Sequence, residues 1–208
     1  MKRNLLVFHF LSIVLALGFF AGCENKSDGS ASVAEPLPSS WWKLTGSPMT
    51  VKPVTKIKNA KLFKSDGLTV LVPDDWETER SEHPYYVQIM VQRPDDKRNP
   101  VVLTINNPSD KVSNSDTVEM VSSMALANLA LAGASDMKRH PATWPGWQFA
   151  RSITGVFDQG KEGVVTDFIH VAALSKGGKV VMVTAQAPRG KLDNALSYQV
   201  LRSVKPVK

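Results

Sequence analysis

Among the 208 residues, the side chains able to support acid–base, nucleophilic or metal chemistry are few and far apart. Apart from His9 in an apolar amino-terminal run, the histidines are His83, His140 and His170, separated by intervals that match no zinc-ligand spacing. His83 and His140 fall in predicted loops and His170 in a predicted strand, where it is expected to be solvated. A site assembled in space would need His170 to meet Asp167 or Asp158. Asp74, Asp75, Glu77 and Glu79 form an acidic cluster without the alternating oxygen ligands and glycine of a calcium loop, so a solvated turn is predicted. No Gly-x-Ser-x-Gly elbow, phosphate loop or dinucleotide fingerprint occurs, and the serines lie mostly in loops with no local base. The expectation is a protein with no catalytic residues, no metal and no cofactor.

The one cysteine is different. Lys2 and Arg3 precede an apolar run from Leu5 to Phe20, and Ala21 and Gly22 then lead into Cys23. A short basic segment, an apolar stretch below the ~20 residues of a spanning helix, and small residues before a break point form an export signal. With Cys23 directly after, the segment resembles the lipobox of bacterial lipoproteins, although Phe20 stands where that family prefers Leu. The resemblance implies that Cys23 takes a diacylglyceryl group, that residues 1–22 are removed, and that the new amino terminus is acylated. Several acyl chains on one residue make a stable membrane anchor. Glu24 in place of the Asp common in inner-membrane lipoproteins implies the periplasmic face of the outer membrane.

Without residues 1–22 the chain carries 23 basic and 19 acidic residues, a formal charge of +4. Taken as spread along the chain, that charge favours solubility and weak attraction to anionic lipid or glycan, and it argues against nucleic acid. With Cys23 lipidated no thiol remains, so the fold rests on its core alone.

Residues 23–55 read as the lipidated amino terminus and a flexible tether. Ser, Asp, Asn and Gly dominate its first part, and Pro36, Pro38, Pro48 and Pro53 stiffen the rest. As flexible coil, some thirty residues place a domain ~30 Å from the lipid. Trp41 and Trp42 are adjacent indoles with three open roles: packing back on the domain, lying at lipid headgroups, or meeting a partner.

Residues 56–208 read as one globular domain. Lys61–Lys64 and Leu68–Val72, joined through Asp66-Gly67, predict a hairpin. Trp76 follows at an edge, and a polar loop leads to a strand with Val87, Ile89 and Val91 on one face. A further strand presents Val101, Leu103 and Ile105. From a cap at Ser115 or Asp116, apolar residues recur at helical spacing through Val118, Val121, Ala125, Leu129 and Ala132. Met120, Met124 and Leu131 widen that stripe, and Gly133 stops the helix. Trp147–Val156, Val164–Leu174 and Lys179–Ala187 predict an antiparallel meander, and a closing helix begins near Lys191 with Leu192, Leu196, Val200 and Val204 on a stripe. Strands interleaved with single helices indicate an α+β domain with a largely antiparallel sheet and packing helices.

The run from Gly67 to Trp76, the mid-chain helix, Gly146–Arg151 and Val200–Lys205 resemble the PsbP/Mog1-like fold, an α/β/α sandwich, and within it the DcrB-type bacterial lipoproteins. The likeness covers roughly Lys61 to the end. It implies no catalytic residues and an adaptor or assembly role with an envelope protein partner. Trp144, in His140-Pro141-Ala142-Thr143-Trp144-Pro145-Gly146-Trp147, is the candidate exposed contact, alongside Trp41 and Trp42. Trp147 is expected to face the core with Phe149 and Ile153. A small apolar or glycan ligand in a cleft lined by Trp76 or Trp144, and a hydrolase, are the rival readings.

Overall fold

The structure, a computed structural model, describes residues 43–95, 99–106, 113–158 and 164–207. Alternating apolar and polar residues give most of the strands. In chain order these are β1 (Met49–Thr50), β2 (Ala60–Ser65), β3 (Leu68–Pro73), β4 (Glu77–His83), β5 (Tyr86–Gln92) and β6 (Val101–Asn106). Then come β7 (Ala134–Thr143), β8 (Phe149–Asp158), β9 (Val165–Leu174), β10 (Val180–Pro188) and β11 (Lys205–Pro206). Helix α1 (Ser115–Leu131) and helix α2 (Leu196–Ser203), with a 3₁₀ turn at Leu192–Asn194, complete the described elements.

The strands form an eight-stranded sheet ordered β1-β7-β8-β9-β10-β6-β5-β4 and a three-stranded sheet ordered β11-β3-β2. Every pairing is antiparallel except β1 with β7. The domain is thus mixed α+β, dominated by one large sheet. The β2–β3 hairpin turns as predicted, with Asp66 and Gly67 at φ 50° and 78°, the left-handed values a tight two-residue turn requires.

Strand parity separates two apolar layers. On one face of the large sheet Val87, Ile89, Leu103, Ile105, Ile169, Val171, Val181 and Val183 pack with Val200, Leu201 and Val204 of α2 and with Leu68, Val70 and Val72 of the small sheet. On the other face α1 lies over β7, β8 and β9, with Val118 and Val121 against Ala172, Leu174, Val180 and Met182, and with Ala125 and Leu129 against Ile153, Phe157 and Phe168. Central strand β10 is buried from Val180 to Ala187.

Several expectations are corrected. Glu77–His83, read as a loop, is edge strand β4; its alternation is of charged and polar residues, so no apolar period reveals it, and charges suit an edge. Strand β7 was hidden by Asp136, Lys138, Arg139 and Pro141. Pro141 is tolerated near the outer side, and a bulge between Ser135 and Lys138 takes up Asp136 at φ 51°. The α1 cap is Asn114, whose Oδ1 accepts the Thr117 N–H at 3.0 Å while Thr117 Oγ1 accepts the Asn114 N–H at 3.3 Å. Met120 and Leu131 project into solvent, leaving a narrower buried stripe that includes Ser122 and Ser123. The closing segment breaks at Ala195, so α2 starts at Leu196 rather than near Lys191.

The largest correction concerns the stretch read as flexible up to residue 55. Thr45 and Gly46 donate their N–H groups to Arg139 O, β1 pairs with Ala142 and Thr143, and Val51 N–H bonds Thr143 O at 2.9 Å. Val51 is fully buried, Val54 N–H bonds Arg202 O, and Arg202 Nε returns a bond to Lys52 O at 2.7 Å. Residues 45–57 are therefore a strap fastened across the domain. Its prolines suppress helix but leave extended pairing available, which is why composition reads it as linker.

Candidate functional site

On the α2 side of the large sheet, α2 and the small sheet do not cover the ends of β7, β8 and β9. Cross-strand partners share a face, so Lys138 and Thr154, which pair with each other, lie on the same side as Ile169, the other partner of Thr154. Val156 and Asp167, paired one step further on, continue that side. The chain from Gly190 to Asp193 forms the opposite wall, and Asp167 Oδ2 accepts the Gly190 N–H at 2.6 Å, holding wall to sheet. The result is an open groove of about 650 Å³ with Asp136, Asp167 and Asp193 set against Lys138, and with Val156 and Leu192 as apolar lining. Beneath it Gly155 makes room for its neighbours: a Cβ there would stand 2.8 Å from the Phe168 ring and 2.9 Å from Met137 Cγ.

His140 adjoins this groove in strand β7, not in a loop. Its Nδ1 bonds Ser47 O at 2.9 Å and its Nε2 bonds Thr154 Oγ1 at 2.9 Å, so the ring joins the strap to a groove residue. Gly46 lies flat on that ring; a Cβ at Gly46 would come within 2.0 Å of Nδ1. His170 points to the opposite face of the sheet, where Nδ1 bonds Thr184 Oγ1 at 2.8 Å and Nε2 has no hydrogen-bond partner among the described residues. At 1% exposure it is not the solvated histidine expected, and desolvation lowers its pKa to about 4. Asp167 is turned to Gly190 and the groove, so the His170–Asp167 pair does not form. His83 stacks on Tyr86 at 4.3 Å. Among the described residues no group of three or more His, Cys, Asp or Glu is placed to hold a metal.

Under α1, Glu119 bridges Arg139, which is 3% exposed, and Arg151, whose Nη2 lies 2.5 Å from Glu119 Oε1. Arg139 Nε also donates to Ser122 Oγ at 3.1 Å, and Arg151 lies over the Phe149 ring. These charges tie α1 to β7 and β8.

Trp144 is not an exposed contact. It is 3% exposed and lies in the α2-side core, its ring 5.1 Å from that of Trp147. The cause is the turn: Pro145 and Gly146, at φ 97°, fold Trp147 N–H back to Trp144 O at 2.9 Å and bring both indoles to the sheet end. Trp147 is buried too, but with the α2-side core, whereas Phe149 and Ile153 face α1. Trp76 is also in the core, and neither Trp76 nor Trp144 lines the groove. Cys23, Trp41 and Trp42 lie outside the described residues.

Charge is not spread evenly. From residue 43 to 65 there are six lysines and no acidic residue, and Lys43, Lys52, Lys56, Lys58, Lys61 and Lys64 are all exposed. Residues 66–201 hold thirteen basic against sixteen acidic residues. The segregation was present in the sequence and is hidden by a single net figure.

No protein-family model matches the chain, and no curated protein matches it. Similar solved structures include a Bacteroides thetaiotaomicron VPI-5482 protein, 14% identical with a TM-score of 0.47 over 72% of this chain and 49% of that one. This chain thus spans about half of that protein. They also include LpqN, involved in cell envelope biogenesis of Mycobacterium tuberculosis, 17% identical with a TM-score of 0.43 over 68% of this chain and 83% of LpqN. No described helix is long and apolar enough to cross a membrane.

Proposed function

We propose that the chain is a non-enzymatic envelope lipoprotein, anchored through Cys23 at the periplasmic face of the outer membrane, whose domain binds another envelope protein through the groove between β7–β9 and Gly190–Asp193. A PsbP/Mog1-like, DcrB-type domain remains the fold reading, supported by a largely antiparallel sheet with α1 on one face and α2 on the other. The groove carries the functional reading. Its apolar lining between three carboxylates and one lysine suits a segment that presents basic and apolar side chains together. Both central histidines already serve the fold, His140 with two hydrogen bonds and His170 beneath α1, which supports binding over hydrolysis. Anchoring raises the local concentration of the domain for partners on the same membrane, so a weak contact is occupied.

The test is in-cell photo-crosslinking from Val156, comparing the native chain with Asp167→Lys and Cys23→Ser. Capture of one envelope protein by the native chain, reduced in both variants, is the expected result. Absence of any enriched protein, or capture indifferent to Asp167→Lys, overturns the groove as the contact.

A further inference from the structure

The outer face of the three-stranded sheet has no partner among the described elements, and the acid-free lysine run of residues 43–65 ends in its edge strand β2. Lys64 and Lys205 both pair with Thr69, from opposite sides, so the three side chains share one face, the outer one, since Leu68 and Val70 point to the core. Leu62, paired with Leu71, lies on that same face and is 55% exposed. Val207, just beyond β11, is 53% exposed. Lys52, Lys56 and Lys58 are exposed in the chain that leads into β2, and Lys61 is exposed on β2 itself, the edge strand of this sheet. The ion pairs among the described residues use arginine, and none joins these lysines to a described carboxylate. Carboxylates near the hairpin are Asp66, paired with Arg80 at 3.0 Å, Glu82, held by the same Arg80 at 3.1 Å, and Asp74 and Asp75 beyond Pro73.

We propose that this face, with the strap that feeds it, docks on the anionic lipid surface of the membrane that carries the chain. The inference rests on the Cys23 anchor proposed above. Exposed lysines around a projecting leucine combine attraction to anionic headgroups with a small apolar insertion. The basic run begins where the stretch joining Cys23 to the domain ends, so the charged face is the part of the domain closest along the chain to the bilayer. The carboxylate-lined groove has the opposite sign and is repelled by the same surface. Docking therefore orients the domain rather than merely holding it near.

The processed full-length protein is reconstituted in phosphatidylcholine vesicles with and without phosphatidylglycerol. Cys23 is the only native cysteine, so once it is lipidated Leu62→Cys provides a unique site for a polarity-sensitive dye. The mass of the amino-terminal peptide is measured first, because an unmodified Cys23 overturns the anchor and with it this inference. With Cys23 lipidated, the dye at position 62 is expected to shift to the blue only when phosphatidylglycerol is present. Combined Lys58→Glu, Lys61→Glu and Lys64→Glu changes abolish the shift, while a dye at Leu131→Cys, on the far end of α1, stays in water. Equal emission at position 62 in both lipid mixtures overturns the docking, as does a shift that survives charge reversal. A shift produced by a soluble acidic polymer but not by phosphatidylglycerol does so too, assigning the face to another polyanion.

Discussion

His170 shows how far one side chain's role depends on what lies above it. Its folded pKa of about 4 is below the ordinary value of 6.5, so the unfolded chain binds a proton that the folded chain refuses. Stability is therefore fully present above about pH 6.5 and declines as pH falls toward 4, by about 3 kcal/mol in all. His170→Asn, which cannot titrate, is expected to flatten this part of a urea-denaturation pH profile; an unchanged slope would place the titration elsewhere. Gly155 is the other sensitive position. Gly155→Ala must displace Phe168 or Met137, and a loss of about 1–3 kcal/mol is expected in thermal or chemical unfolding. Neither effect was legible in the sequence: a histidine in a strand reads as solvated until the helix that buries it is placed, and a glycine in a strand does not announce the ring beside it.

Elements were legible where burial imposes a period. The β2–β3 hairpin, β5, β6, the β8–β9–β10 meander and α1 each place apolar residues at the spacing of their own geometry. Strands β4 and β7 stand at or near an edge, where charges are an advantage, and so carry no such period. The cap of α1 lies one or two residues before the expected Ser115 or Asp116, because Asn, Ser and Asp are all good caps and only geometry selects among them. Asn114→Ala removes the acceptor for Thr117 N–H and is expected to cost about 1 kcal/mol, read from the denaturation midpoint, whereas Ser115→Ala should cost far less.

For the whole molecule, the groove could not be read from sequence because Lys138, Thr154, Asp167 and Leu192 come from four segments brought together by pairing order. Trp144 shows the converse error: an indole beside a proline and a glycine reads as an exposed loop residue, yet that turn is what directs it into the core. The strap was missed because prolines and polar residues describe its composition while hydrogen bonds decide its state. Gly46→Val sets a branched side chain into the His140 ring, and hydrogen–deuterium exchange at residues 45–51 is expected to rise at least tenfold while β9 and β10 keep their protection. Loss of protection throughout would mean instead that the strap and core unfold together. A strap bonded in this way also has a mechanical meaning. Under the anchoring proposed above, pull on the amino-terminal side falls first on the bonds from Thr45 and Gly46 to Arg139, then on the β1–β7 pairing, and reaches the rest of the sheet last. Peeling residues 45–57 would release about 44 Å of extra chain at ~3.4 Å per residue, so the same segment is a safety catch under low load and a reserve of slack under high load.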